Sequence, residues 1–400
     1  MTIWPEKSAA AAYVHIPFCI KKCCYCDFVS YPGCSEKEQS DYVAALLREI
    51  RRVAGYMRGL KDDWQIIPLQ SVFLGGGTPT ILPAGQISAI LSCLAEEFGL
   101  DPAGEFTLEA NPGTVTMENL QAYRAAGFNR ISLGLQAAQA GLLHRLGRIH
   151  TAGDFCQSVA LAAAAGFRSI NADIMFGLPG QTLADVEQTL DLVLSLPVDH
   201  LSFYSLSLEE GTPLYELCRR QPGLLPDDEL ERSQYHRISR YLAEQGFEHY
   251  EISNSARPGC RCRHNLTYWH GEPYYGFGAG AHSFLQGARR ANTSDLARYR
   301  SAFPEPGAAD PETDPWPAAQ VLELIDRNEA MKEMMLLGLR LIGGVRFVDF
   351  RNRFGQDMED CFDVPIKKMI RRGLLLRDEH GVRLSTLGLD LANQVFQEFV

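Results

Sequence analysis

The strongest constraint on this chain is an alternation. Six short β-prone runs stand at Ala12–Ile16, Ser71–Gly76, Phe106–Ala110, Arg130–Gln136, Ser169–Gly177 and His200–Leu206. Amphipathic stretches separate them at Lys37–Met57, Gln86–Phe98, Met117–Ala126, Thr151–Ala165 and Thr182–Leu196. "AAGF" closes two of those stretches, at Ala125–Phe128 and Ala164–Phe167, with glycine placed as a left-handed helix cap before the next strand. Repeated strand–helix units build a parallel sheet with helices outside it. Six strands predict an α/β fold, a partial (β/α)6 barrel rather than the eight repeats of a closed one.

Five prolines and four acids among the fifteen residues Phe303–Pro317 mark a linker. The expected domains are 1–302 for the barrel and its extension, 303–317 for the linker and 318–400 for a compact, helical unit. In that last unit "GLLLRDEHGVRLS" (Gly373–Ser385) predicts a hairpin turning at His380-Gly381, so a winged-helix-like domain is expected. Such a shape invites a DNA-reading role, but 12 Lys/Arg stand against 13 Asp/Glu from Ala318 onward. That balance has no basic footprint, and the net charge of −11 points the same way, so nucleic acid is not an expected partner.

No run approaches the roughly 18 apolar residues of a membrane span. The opening "MTIWPEKSAAAAYVHIP" lacks the basic start and leucine-rich core of a signal peptide. A cytoplasmic protein is expected, with peripheral membrane contact left open. Eleven cysteines, clustered rather than evenly spread, suit metal binding in a reducing compartment better than a disulfide framework.

The densest cluster is "HIPFCIKKCCYCDF" (His15–Phe28), directly after the first strand. Cys19, Cys23 and Cys26 have the spacing C-x3-C-x2-C. Thiolates are the usual ligands of iron–sulfur clusters, and three of them leave one iron of a four-iron cube open to another ligand. The other readings are buried thiols, or a zinc site completed by Cys24 or Cys34. Cys24 sits between Cys23 and Tyr25, where few adjacent residues reach the same cube. "LGGGTPT" (Leu74–Thr80) then ends the second strand, and glycines there let backbone approach a ligand. Polar residues recur near later strand ends: Glu109 in "LEANP", Gln136 in "SLGLQ", Arg148 in "LGRIH" and Asp173 in "NADIMFGLPGQT". Each has a local reading as a salt bridge or cap; together they read as a polar rim on one barrel face.

The cysteine spacing, with Tyr25 before the last ligand, is similar to that of radical S-adenosylmethionine (SAM) enzymes. In that superfamily the open iron binds SAM, which the reduced cluster cleaves to methionine and a 5′-deoxyadenosyl radical. "YVHIPFC", "GGGTPT", "GFNRISLGLQ" and "NADIMFGLPGQT" further resemble the oxygen-independent coproporphyrinogen oxidase group along about two-thirds of the chain. The resemblance implies a radical SAM barrel with Cys19, Cys23 and Cys26 on a 4Fe–4S cluster. It implies Tyr13, Tyr25, Gly76, Gly77, Thr78, Glu109, Gln136, Arg148 and Asp173 around SAM.

Two departures speak against coproporphyrinogen decarboxylation. The oxidases keep a further cysteine where this chain has Phe28, and a longer segment before the cluster. Later, "CRCRHNLTYWHGEPYYGFGAGAHSF" (Cys260–Phe284) contains His264-Asn265-x-x-Tyr268-Trp269. Imidazole is a common axial ligand of haem iron, although a hydrogen-bonded core histidine is the plainer reading. The order H-N-x-x-Y-W resembles the HemW-type haem chaperone branch. That resemblance implies haem at His264, with Tyr268 and Trp269 beside it, and delivery of haem to respiratory proteins. Cys260 and Cys262 could add a thiolate or be incidental, and His270 and His282 are second-choice ligands. A homodimer is compatible with the branch. The alternatives are an oxidase converting coproporphyrinogen III by a 5′-deoxyadenosyl radical and a radical SAM methyltransferase that modifies or degrades haem. No catalytic residue is assigned.

Overall fold

The computed structural model describes residues 8–60, 64–305 and 314–400. Six parallel strands follow one another in the sheet: β1 (Ala11–Ile16), β2 (Leu69–Gly76), β3 (Leu100–Ala110), β4 (Arg130–Gln136), β5 (Ser169–Phe176) and β6 (His200–Ser205). Each lies beside its successor, so every crossover turns the same way and the helices fall on one outer face. This is the partial barrel expected. Tyr275–Phe277 adds a parallel strand beside β1, and Asn254–Ala256 and Glu248–Glu251 add antiparallel strands beyond β6.

The five crossover helices begin within three residues of their expected starts, and their ends have local causes. Ser35, Thr116, Thr151 and Thr182 each close a capping box with the residue three positions on. Gly127 and Gly166, the glycines of the two "AAGF" repeats, have φ of 116° and 85°. That left-handed backbone lets the chain leave the helix and enter the next strand.

Side chains alternate across each strand. Val14, Ile16, Val72, Leu74, Leu108, Ile131, Leu133, Ile170, Ala172, Leu201 and Phe203 face outward and join the helices in the main core. The opposite face is polar: Glu109, Ser132, Asn171, Asp173, Ser202 and Tyr204 line chambers inside the barrel. A parallel sheet covered on both faces normally reads as continuous apolar runs. The polar positions every second residue therefore show that this barrel's interior holds something other than hydrocarbon.

The C-terminal unit has its own core, built from Ile325 onward with Phe284 from the barrel side. Helices Arg327–Gly338, Phe347–Phe354 and Met358–Arg371 precede a hairpin, Leu375–Arg377 with Gly381–Leu384, which Val345–Arg346 extends to three strands. The reading of this unit as helical from Ala318 missed one strand. Ala319–Leu324 pairs with Ala288–Asn292, which pairs in turn with His282–Leu285. "AQVLEL" alternates too weakly to reveal that pairing. Of the expected linker, residues 306–313 lie outside the described residues. Backbone bonds from Ile252 to Arg340 and from Ile342 to Tyr250, 3.0 and 3.1 Å, tie the two cores together. No helix among the described residues is long and apolar enough to cross a membrane.

Candidate functional site

The C-terminal ends of the barrel strands open on a cavity of about 530 Å3. Cys19, Cys23, Tyr25, Cys26, Gly76, Gly77, Thr78, Glu109, Gln136, Arg148 and Asp173 all line it. Residues read from six separate motifs thus converge on one cavity. A short parallel pairing of Phe18–Cys19 with Tyr31–Pro32 pins the start of the cysteine loop.

One hydrogen-bonded chain links two of the cysteines across the mouth. Arg148 approaches Cys23 Sγ at 3.5 Å and donates to Asn111 Oδ1 at 2.6 Å and the Gly134 carbonyl at 2.8 Å. Asn111 donates to Thr78 Oγ1 at 2.6 Å, and the Thr78 hydroxyl points at Cys19 Sγ at 3.8 Å. Burial pushes the Cys19 and Cys26 thiols up, opposed by Thr78 at Cys19 and the Phe28 amide at Cys26. Their remaining cost of ionisation is what a bound cation offsets. Among the described residues no His, Cys, Asp or Glu side chains converge as ligands of a single metal ion. The three thiols instead line the wall of a larger space, which suits a multi-iron cluster better than zinc.

Cys24 takes no part. It packs with Tyr25, Leu142 and Leu146 in a separate apolar cluster, and a Cβ on Gly147 would lie 2.6 Å from its sulfur. Cys34 packs against the main core, away from the cavity lining.

The glycines of "LGGGTPT" are sterically required. A Cβ on Gly76 would stand 2.5 Å from the His15 ring, and one on Gly77 2.5 Å from the Phe18 carbonyl oxygen. Gly76 N–H donates to Glu109 Oε2 at 3.1 Å. Burial, reinforced by the Asp173 carboxylate, holds Glu109 up to about 7. Asp173 is also raised by burial, against donors from Asn171 at 2.7 Å and Ser132 at 3.1 Å. Two buried carboxyl groups facing one cavity favour a ligand that carries positive charge and hydroxyls. SAM, a sulfonium with an amino group and a ribose, has that chemistry. Gln136 turns into the cavity at a φ of 72°, a left-handed backbone rare for a side-chain-bearing residue.

Below lies an inner chamber of about 240 Å3, lined by Tyr13, Phe73, Arg130, His264 and Tyr268 with the carboxyl groups above. Tyr13, assigned to SAM by resemblance, belongs to this chamber and not to the upper one. Its hydroxyl meets His15 Nδ1 at 2.9 Å. The helix Arg263–Trp269 closes the barrel floor, because Glu105 accepts from the Arg263 and His264 amides at 3.1 and 3.2 Å.

His264, the expected axial haem ligand, lines the inner chamber. Nδ1 meets Ser71 Oγ at 3.0 Å and Nε2 meets Tyr268 Oη at 2.9 Å, so both nitrogens are engaged. Its ring stacks on Phe73, and burial lowers its pKa to about 3. The chamber is smaller than the roughly 300–1,000 Å3 of pockets for drug-sized ligands, and haem is large for that class. Trp269 faces away, its ring 4.4 Å below the Arg340 guanidinium. Cys262 is buried against Glu105, with its thiol pushed up to about 12, while Cys260 lies nearer the surface. His270 is exposed beside the C-terminal unit, where its carbonyl accepts from Arg353.

Comparison with known proteins places this geometry. Residues 13–193 match the radical SAM superfamily model, and residues 325–391 match the HemN C-terminal domain. The heme chaperone HemW of Bacillus subtilis is 36% identical over 98% of this chain and 99% of its own. That of Lactococcus lactis is 34% identical over 98% and 97%. The chain belongs to the HemW family of radical SAM proteins. The coproporphyrinogen III oxidase of Escherichia coli shares the fold, with a TM-score of 0.81 at 22% identity, covering 100% of this chain and 92% of that one.

For a radical SAM protein the cofactors are a 4Fe–4S cluster and SAM, and the upper cavity of this HemW-family chain fits both by its donor set. Sequence reasoning missed Asn111, Ser132, Gly134 and Tyr204, which share the cavity. The signal for them was period two: Ser132 and Gly134 precede Gln136 on one face of β4, and Asn111 follows Glu109 by two.

Proposed function

We propose that this HemW-family protein binds haem and transfers it to acceptor proteins, with a 4Fe–4S cluster and SAM held in the upper cavity. The observation that carries this reading is similarity to proteins named heme chaperone along 98% of the chain. In this reading Cys19, Cys23 and Cys26 hold the cluster. Tyr25, Gly76, Gly77, Thr78, Glu109, Gln136, Arg148 and Asp173 receive SAM, and Tyr13 supports them from below. When bound, the cluster supplies electrons and an open iron to SAM. Thr78 favours the thiolate form of Cys19 by hydrogen bonding, and the Arg148 guanidinium stands 3.5 Å from Cys23 Sγ. Asn111 and the Gly134 carbonyl hold the Arg148 fork in place. The protein works in the cytoplasm, its acceptors are respiratory haem proteins, and a homodimer is the assembly it forms.

Phe28 separates this reading from the oxidase reading. It stands 68% exposed at the cavity mouth, where the oxidases keep a cysteine, and has no thiol to offer. The test is anaerobic: reconstitute the cluster, add haem and SAM, then add an acceptor lacking haem. Haem passing to the acceptor, with coproporphyrinogen III left unconverted, is the expected result. Formation of protoporphyrinogen IX from coproporphyrinogen III, SAM and a reductant would overturn the reading.

A further inference from the structure

The inner chamber holds a charge that neither the cluster nor SAM uses. Arg130 opens β4 at the barrel floor and is only 3% exposed. Its Nη1 reaches Thr107 Oγ1 at 3.5 Å, and its Nε has no hydrogen-bond partner among the described residues. No carboxylate among those residues forms an ion pair with it. Burial lowers its pKa, but Cys262, Glu105, Tyr250 and Asp173 nearby more than offset this and raise it, so the guanidinium stays charged. Those four groups are otherwise occupied. Burial pushes the Cys262 thiol and the Tyr250 hydroxyl up, so both are neutral at pH 7. Glu105 accepts from the floor helix, and Asp173 accepts from Asn171 and Ser132. A buried charge without a bonded partner is costly, which marks Arg130 as a receptor for an anion.

A second donor lines the same space. Asn265 follows His264 in the floor helix. Hydroxyls engage both ring nitrogens of His264, whereas the Asn265 carboxamide has no hydrogen-bond partner among the described residues. A guanidinium and an amide suit a carboxylate. One wall is aromatic: Tyr13, Phe73, His264 and Tyr268 stand in a row, with neighbouring ring centroids 6.3, 5.3 and 5.1 Å apart. That wall suits an apolar body, and the chamber's 240 Å3, the space of about eight waters at roughly 30 Å3 each, keeps the body small. Glu109 and Asp173 line both this chamber and the upper cavity. Alone they repel an anion; with the sulfonium and ammonium of SAM against them, that repulsion is offset.

We propose that the inner chamber binds a free carboxylic acid with a small apolar body, its carboxylate held by Arg130 and Asn265 beside SAM. This goes beyond haem transfer and rests only on SAM occupying the upper cavity. The test is equilibrium dialysis of radiolabelled benzoate against the reconstituted, SAM-loaded protein, with benzamide as the neutral probe of the same shape. Benzoate is expected to bind at least tenfold more tightly than benzamide, and severalfold more tightly with SAM than without it. Asn265→Asp, which exchanges the amide for a carboxylate, is expected to weaken benzoate at least tenfold. Arg130→Gln is expected to abolish the preference for benzoate over benzamide. Circular dichroism and cluster iron check the fold of each variant. If Arg130→Gln does not fold, Asn265→Asp and the ratio of benzoate to benzamide decide the matter. No benzoate bound at millimolar concentration refutes the proposal, as does equal binding of the two probes or an unchanged affinity in Asn265→Asp. Competition between benzoate and SAM would place the carboxylate at Arg148 in the upper cavity and refute this site. Displacement of benzoate by one equivalent of haemin would assign Arg130 to a haem propionate and refute the free acid. Each of these failures leaves the haem-transfer reading standing on its own test.

Discussion

Gly77→Ala tests how tightly the glycine motif holds the cysteine loop. Gly77 does not have the left-handed backbone of its neighbour Gly76, so the cost of a methyl group there is contact alone. The added Cβ would lie 2.5 Å from the Phe18 carbonyl oxygen and 3.0 Å from Cys19 Sγ. A relaxed carbon–oxygen contact needs about 3.3 Å, so the strand end or the loop must move by roughly 0.8 Å. Overpacking of that kind costs about 1–3 kcal/mol. The Phe18 carbonyl also accepts from Thr78 N–H at 2.7 Å, and loss of that bond adds about 1 kcal/mol. At about 2–4 °C per kcal/mol for a domain of 150–250 residues, the unfolding midpoint should fall by roughly 4–16 °C. Differential scanning calorimetry of the apo chain measures this, and iron bound per chain after reconstitution should fall with it as Cys19 is displaced. Gly85→Ala is the control. Its Cβ meets nothing within 4 Å at the start of the helix Ala84–Phe98, so stability should hold or rise by up to about 1 kcal/mol. If Gly77→Ala unfolds at the wild-type temperature with full iron content, the steric argument for the motif is wrong.

Glu109 should make SAM affinity depend on pH. Its pKa near 7 must fall when a cationic ligand binds, so binding releases protons at neutral pH and tightens as pH rises from 6 to 8. Calorimetry in two buffers of different ionisation enthalpy reads the proton count, and Glu109→Gln should abolish it. The same raised pKa favours the unliganded fold at low pH, and that contribution fades as pH rises through 7. Cys24→Ala should keep full cluster iron and lose at most about 1–2 kcal/mol of stability, whereas Cys23→Ala should lose the cluster; equal iron in both would refute the division of roles. Glu105→Ala should cost about 1–3 kcal/mol, because two amides of the floor helix lose their acceptor. Faster hydrogen exchange at 263–269 would show it, and unchanged exchange would mean that the helix is held from elsewhere.

Much of this protein is legible one segment at a time. Strand–helix alternation, capping residues three positions ahead of their partners and glycine after a helix all act within a few residues. The six strands and five crossover helices follow from them, as does the placing of Cys19, Cys23 and Cys26 in a loop at a strand's C-terminal end. Sequential strand order then sends every strand end to the same face, so Glu109, Gln136 and Asp173 meet without further information. What stays hidden depends on which way a side chain points and what lies across from it. Arg148 reaches Cys23 across 125 residues, and His264 reaches Ser71 across 193. "HNLTYW" has the same letters whether its imidazole faces solvent, a macrocycle or the barrel floor. Only the packing of that helix against Glu105 sends His264 inward and takes up both its nitrogens. Likewise, only the pairing of the hairpin His282–Leu285 and Ala288–Asn292 with Ala319–Leu324, from beyond the proline-rich stretch, forms the sheet that carries His282, because hydrogen-bond register between strands is set by the whole sheet and not by any one of them.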